Sequence, residues 1–320
     1  MKPLAELFRS KYGRALLAVI GLVLIGVLLA QAGVAEVGHA VKIALPSLVL
    51  VLIAEAFIIV LDALALERLY RAPRPGFWEF LRITIAGYPL AALAPAGRTV
   101  AEGVKAAVLA RRTSPAQATV AAARMQAVLL LANALASVPA IGVAFLADDA
   151  TIVAWAVLIN VVVMSSLGFG ILLAGRGLGV GALLGKRWGK AKTVGPEVDA
   201  LWRAEPFIPW SPFFIECGAR LLSIFQLAAL LAAFGEIDLH RVLLAQGLFA
   251  VGTSVGDLLP AQLGATEANF VFAASAIGLS SGQAFAIPML IRAAQLSWAA
   301  VGLILPLLRS KVVQTVEERS

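Results

Sequence analysis

Charge is what this chain is short of. Only 14% of its 320 residues are Asp, Glu, Lys or Arg, against about 25% in an average soluble domain. With 61% hydrophobic residues and a mean hydropathy of +0.92, that scarcity excludes an ordinary soluble fold. Cysteine is nearly absent. The single Cys217 sits in a hydrophobic segment, so no internal disulfide forms and no redox chemistry is implied. Only two histidines occur, His39 and His240, both in expected outer loops, and no His/Cys/carboxylate cluster has metal-ligand spacing. No phosphate-cradling glycine loop precedes a Lys-Ser/Thr pair, which removes an ATPase motor. The glycine-rich run 175–181 follows an apolar helix and reads as a flexible loop. No cofactor and no catalytic constellation are therefore expected, and the chain reads as a non-enzyme.

What is present is a series of long apolar segments, suited to helices rather than barrel strands. The expected fold is all-α: one polytopic transmembrane domain over residues 1–320. Full spans are expected near 15–34, 46–66, 116–146, 151–174, 211–234 and 284–308, about six in all. Lys2, Arg9, Lys11 and Arg14 precede the first span, and Ala30-Gln31-Ala32 resembles a signal-peptidase site. The repeat described next needs this helix, so it reads as an uncleaved anchor. The loop 175–210 mixes Trp188, Trp202 and Trp210 with Lys and Arg, which suits a short interfacial helix.

Two segments do not fit a plain span, and they share a motif. Pro95-Ala96-Gly97 and Glu102 recur as Pro260-Ala261, Gly264 and Glu267, with Glu seven residues after Pro each time. Proline removes a backbone donor and glycine relaxes φ, so each copy breaks a helix. In a membrane such breaks survive only where protein or a wet cavity satisfies the freed backbone. Segments 77–112 and 239–279 are thus expected as two re-entrant hairpins, with Pro95, Gly97, Pro260 and Gly264 at the breaks.

The distribution of positive charge supports that layout. Of the 26 Lys and Arg, eighteen fall in the proposed cytoplasmic parts, two in outer loops and six within membrane segments. The net charge of +7 is mostly this topology signal and points to no nucleic-acid partner. Both termini are expected in the cytoplasm. Halves 1–149 and 150–320 then carry matching elements in opposite directions, an inverted-topology repeat. Interrupted helices in matching places of two halves point to a transporter's binding site.

The six basic residues within membrane segments are Arg82, Arg98, Lys105, Arg124, Arg220 and Arg292. Each costs about 2.5–3.5 kcal/mol on insertion scales, and such groups face the bundle interior and pair. Arg98 with Glu102, and Glu216 with Arg220, have i, i+4 spacing. Arg98, Glu102 and Lys105 share one helical face behind a break, where helix N–H groups favour an anion. Asp257, Gln262, Glu267 and Asn269 surround the second break, and Arg124 and Arg292 lie in the spans that follow the two hairpins. These residues read as a polar, partly cationic cavity suited to a lipid headgroup. The alternative is that they pair with one another and only hold the hairpins. Glu55 and Asp62, seven apart on one helical face, read as bundle pairs or interface residues.

The first motif, Leu93 to Lys105 followed by Leu109-Ala110-Arg111-Arg112, resembles a motif of one membrane-protein family. So does the second, Leu259-Pro260-Ala261-Gln262-Leu263-Gly264-Ala265-Thr266-Glu267, and Arg292 fits a recurring arginine of its last helix. The family is the flippase-like membrane region of lysylphosphatidylglycerol synthases, which also has stand-alone members. The spacing from Pro95 to Glu102 is closer to the branch associated with hopanoid biosynthesis. Gln262 stands where the family has Gly, and Ala123 where an acidic residue is usual before Arg124. The resemblance implies a bacterial inner-membrane protein that moves a polar, anionic or hopanoid-type lipid between leaflets by alternating access, with a lipid-synthesis enzyme as a candidate partner. Two other classes remain open: a membrane-embedded lipid-modifying transferase, and a non-catalytic subunit of a lipid-synthesis complex.

Overall fold

The structure is a computed structural model and describes residues 11–146, 151–177, 179, 181, 194–235, 237–257, 259 and 262–317. Among these residues every regular element is helical. Helix α1 (Lys11–Ala32) has 22 residues, about 33 Å at ~1.5 Å per residue, enough to cross a hydrocarbon core of about 30 Å. Gly33, at φ 80°, turns the chain into α2 (Val34–Ala44), and a single 3-10 turn leads to α3 (Leu48–Arg68). The loop expected around Glu36, His39 and Lys42 is therefore helical. Val37, Ala40 and Ala44 are buried at i, i+3, i+7, and Val37 packs with Leu28, Ala32 and Phe285. Residues Val34–Arg68 form one apolar stretch of 35 residues.

The other long helices are α6 (Pro115–Leu146), α7 (Thr151–Gly177), α9 (Trp210–Leu231, extended to Phe234) and α12 (Ser281–Glu317). Together with Val34–Arg68 they make five helices long and apolar enough to cross a membrane. On α7, Ile152, Trp155, Ile159, Val162 and Leu173 are exposed. In water that surface would be costly; in a bilayer it is the lipid face. The chain is an all-α polytopic membrane bundle.

Two broken segments fold back inside it. The first is α4 (Phe77–Leu93) and α5 (Gly97–Leu109); the second is α10 (Leu239–Gly256) and α11 (Ala265–Phe272). Asp238 caps α10 by accepting the His240 N–H at 2.9 Å, and that hydrogen bond holds its carboxyl below the usual range. At the first break Ala94 is extended, as a residue before proline should be, and Ala96 is left-handed at φ 51°. Gly97 lies against the carbonyls of Leu90 and Ala91, where a Cβ would clash. At the second break Gly264 is left-handed at φ 84°, while Pro260 and Ala261 lie outside the described residues.

The open ends show that both segments are hairpins. Glu79 in the first turn of α4 pairs with Arg112, just past α5, at 2.7 Å. Arg241 of α10 lies against Gly278, just past α11. Each hairpin thus starts and finishes at one end of the bundle. Three long helices, α6, α7 and α9, separate them in the chain, so they enter from opposite ends. Their tips meet, the Ala96 N–H donating to the carbonyl of Asp257 at 2.6 Å.

Packing exchanges between the two hairpins. The first arm α4 packs on α12, and its counterpart α10 packs on α6; α5 packs on α6, and α11 on α12. Helices α3 and α9 run against each other through the centre. Pro89 in α4 frees the carbonyl of Ile85, and Gly302 of α12 lies directly on that carbonyl and on the proline ring. The expected interfacial helix is α8 (Gly195–Ala204). Its Trp202 is buried with Ala116, Val120 and Val198 and lies on Gly175, so it is an anchor to the bundle rather than a membrane-surface ring. Trp210 is exposed at the start of α9; Trp188 lies outside the described residues.

Candidate functional site

The site is built where α3, α4, α5 and α9 converge on the two tips. Glu55 and Asp62 project from α3, Tyr88 from α4, and Arg98, Glu102 and Lys105 from α5. Helix α9 contributes Arg220, Ser223 and Gln226, while Gln262 and Gln295 close the far wall. The cavity between them holds about 90 Å³, room for several waters.

Its polar groups are mostly engaged. Glu55 accepts hydrogen bonds from Tyr88 Oη and from Gln226 Nε2, the latter at 2.8 Å. Glu102 pairs with Lys105, and both are buried. The expected i, i+4 pair of Glu102 with Arg98 therefore gives way to an i, i+3 pair. The stem of Lys105 lies over Gly87, which brings its ammonium inward. Arg98 is left among Asp257, Asp62 and Glu216. Arg220 Nη2 is 3.5 Å from Glu216 Oε2, and its Nη1 donates to Asn133 Oδ1 at 3.2 Å. Gln262 Nε2 donates to Asp257 Oδ1 at 2.5 Å.

The two breaks differ chemically. At the second, Glu267 accepts the Gly264 N–H at 3.1 Å and pairs with Arg292 Nε at 3.1 Å; Arg292 Nη2 also donates to the carbonyl of Gln262 at 3.0 Å. A carboxylate from the chain itself occupies this helix start, with an arginine behind it. At the first break α5 has no side-chain cap. Its leading N–H groups, unpaired within any helix, stand beside Arg98. The first tip therefore lacks the side-chain cap that Glu267 gives the second, while its arginine stands among Asp257, Asp62 and Glu216.

Several expected residues lie elsewhere. Arg124 does not line the cavity. It is drawn to the far end of α6, where it pairs with Glu205 Oε2 at 3.1 Å and donates to the carbonyl of Pro206 at 2.8 Å. Arg71 and Arg176 bind the same Glu205 segment, at 2.5 Å and 2.7 Å, so these three arginines strap the α8–α9 link to the bundle. Asn269 donates to the carbonyl of Leu248 at 3.3 Å and faces an outer groove. Glu267 and Arg292 hold the second tip from behind. Arg82 is exposed on α4 rather than turned inward. Tyr88, Ser223, Gln226 and Gln295 were not anticipated. The α9 residues had a signal, since Glu216, Arg220, Ser223 and Gln226 follow one helical face in sequence.

Two apolar grooves flank the cavity. One, of about 580 Å³, runs between α5 and α6 to Ile171 near the last turns of α7 and reaches Glu102. The other, of about 400 Å³, lies between α10, α11 and the first turns of α7, from Ile152 to Val157. They sit at opposite ends of α7, and so at opposite depths in the bundle. Among the described residues no group of three or more His, Cys, Asp or Glu is placed to hold a metal ion.

Comparison with known proteins finds no matching protein family, no matching curated protein and no matching solved structure.

Proposed function

We propose that the protein moves a polar lipid between the two leaflets of its membrane. The observation that carries this reading is the meeting of two oppositely entering broken helices, Ala96 against Asp257, beside a buried polar cavity. Broken helices of this kind supply headgroup sites in transporters because their half-helix ends point at a ligand. The uncapped start of α5 with Arg98 suits an anionic group such as a phosphate. The apolar grooves at opposite ends of α7 suit acyl chains, one for each leaflet.

In this reading the structure is the closed state. Rocking of one hairpin against the other parts the tips and opens the cavity to one leaflet at a time, and the acyl chains stay in lipid. The resemblance of the two Pro-Ala motifs to the flippase-like region of lysylphosphatidylglycerol synthases supports the same proposal. In the same reading the protein sits in a bacterial inner membrane, with both termini cytoplasmic by the distribution of its positive charge and a lipid-synthesis enzyme as its candidate partner.

The test is leaflet exchange in reconstituted vesicles made from bacterial polar lipids, read by quenching of a labelled headgroup. Exchange above protein-free vesicles is expected. Absence of exchange with every lipid in the extract would sink the reading, and a chemically altered lipid would replace it with a transferase.

A further inference from the structure

Helices α3 and α9 bring two carboxyl groups together in the centre of the bundle. Asp62 and Glu216 lie within hydrogen-bonding reach of each other. Glu216 is completely buried. Asp62 Oδ1 and Glu216 Oε1 are both buried and receive no hydrogen bond from any donor. A carboxylate can only accept, so two of them in contact have nothing to share unless one carries a proton.

The surrounding charges make the same point. From α3 comes Glu55, held by Tyr88 of α4 and by Gln226. From α5 come Arg98, Glu102 and Lys105, with Lys105 taken by Glu102. From α9 comes Arg220, with Cys217 beside Glu216. From the end of α10 comes Asp257, bound to Gln262. The cavity-lining residue of α12 is the neutral Gln295, and α6 offers Asn133 to Arg220. Five carboxyl groups (Glu55, Asp62, Glu102, Glu216, Asp257) thus face three cations (Arg98, Lys105, Arg220). Fully ionised, the cluster holds two uncompensated negative charges, with Glu55, Glu102 and Glu216 themselves buried, which is costly.

We propose that Asp62 and Glu216 form a proton-binding site, holding one proton between them in the closed state and releasing it when the cavity opens to water. The reaction is the addition of H⁺ to one carboxylate oxygen of the pair, with no other reactant. Coupling of this proton to lipid movement rests on the lipid-exchange reading above; the proton site itself does not. A headgroup phosphate entering beside Arg98 adds negative charge to the closed cavity, so closure around a headgroup needs the proton as well. Exchange then falls as pH rises, and a pH difference across the membrane biases its direction.

The experiment uses the full chain in vesicles of phosphatidylglycerol and phosphatidylethanolamine. Infrared difference spectra across a pH titration read the carbonyl stretch of a protonated carboxyl. Exchange of acyl-labelled phosphatidylglycerol is read in parallel. A protonated-carboxyl band at neutral pH is expected, lost in Asp62→Asn and in Glu216→Gln and kept in Asp257→Asn. An amide at either position can donate the hydrogen bond that the shared proton supplies, so these variants keep the contact, and thermal melting checks that they fold. Wild-type exchange should drop at alkaline pH, and Glu216→Gln should flatten that profile. No band in the wild type, or a band of full height in both Asp62→Asn and Glu216→Gln, overturns the proton site. An assigned band without lipid exchange at any pH leaves the proton site standing and sinks the lipid reading. Exchange with a flat wild-type profile and no band does the reverse.

Discussion

Arg98 and Arg292 show how one residue type serves two ends. Both stand at a helix break, but Arg292 pairs directly with one chain carboxylate, Glu267, whereas Arg98, in the uncapped first turn of α5, lies among Asp257, Asp62 and Glu216. Removing Arg292 leaves Glu267, which is 1% exposed, without its ion-pair partner. Breaking a buried pair in this way costs about 3–5 kcal/mol. Arg292→Ala is therefore expected to lower the melting temperature in detergent markedly, and Arg292→Lys to recover only part of it, because the two hydrogen bonds to Glu267 and Gln262 need a guanidinium. Melting within a degree of the wild type would mean the clamp is idle. The sequence shows that these charges are costly and must pair, and it indicates the faces they share. It does not reveal their partners. Glu102 keeps Lys105 of its own helix because Arg98 is drawn to Asp257, Asp62 and Glu216 of other elements, and Arg124 chooses Glu205; both depend on which helices come together.

Among the elements, the two hairpins were the most legible feature. A repeated Pro-Ala break between apolar arms, the first pair of which begins and ends beside basic residues, leaves few alternatives inside a membrane. The helix breaks at 94–96 and before Ala265 fall where the motif puts them. The α2 region reads as a loop in sequence because of its Glu36, His39 and Lys42, while its buried face is only Val37, Ala40 and Ala44. Tip contact is the mechanical consequence of this architecture. In a Cys217→Ser background, Ala96→Cys with Asp257→Cys should cross-link under mild oxidation, since the two backbones share a hydrogen bond. Oxidised vesicles should lose exchange, and a reductant should bring it back to the rate before oxidation. Unchanged exchange at complete cross-linking would show that the tips need not part. At the α4–α12 contact, Gly302→Leu would force Pro89 and the Ile85 carbonyl away. A loss of about 1–3 kcal/mol or more in stability is expected from such overpacking, read by melting.

At the level of the whole molecule the two hairpins define two sides of the membrane. Hairpin ends at opposite faces require that Arg111→Cys and Leu239→Cys, both exposed positions, react with a membrane-impermeant thiol reagent from opposite sides. Labelling of both from one side would contradict the layout. The positive-inside count assigns Arg111 to the cytoplasm, so intact cells should label Leu239→Cys alone. Charge balance also operates at this scale. The bundle buries more carboxyl groups than cations at its centre, and it bears an apolar groove at each end of α7. A purely structural network would gain little from an uncapped helix start beside an arginine.

The most direct measurement is the rate of headgroup exchange in vesicles holding equal amounts of folded wild-type and Arg98→Ala protein. The account predicts exchange well above protein-free vesicles for the wild type. It predicts at least about tenfold slower exchange for the variant, the effect of losing roughly 1.4 kcal/mol of headgroup stabilisation at the barrier. Wild-type exchange no faster than in empty vesicles, or Arg98→Ala running at the wild-type rate, would contradict it.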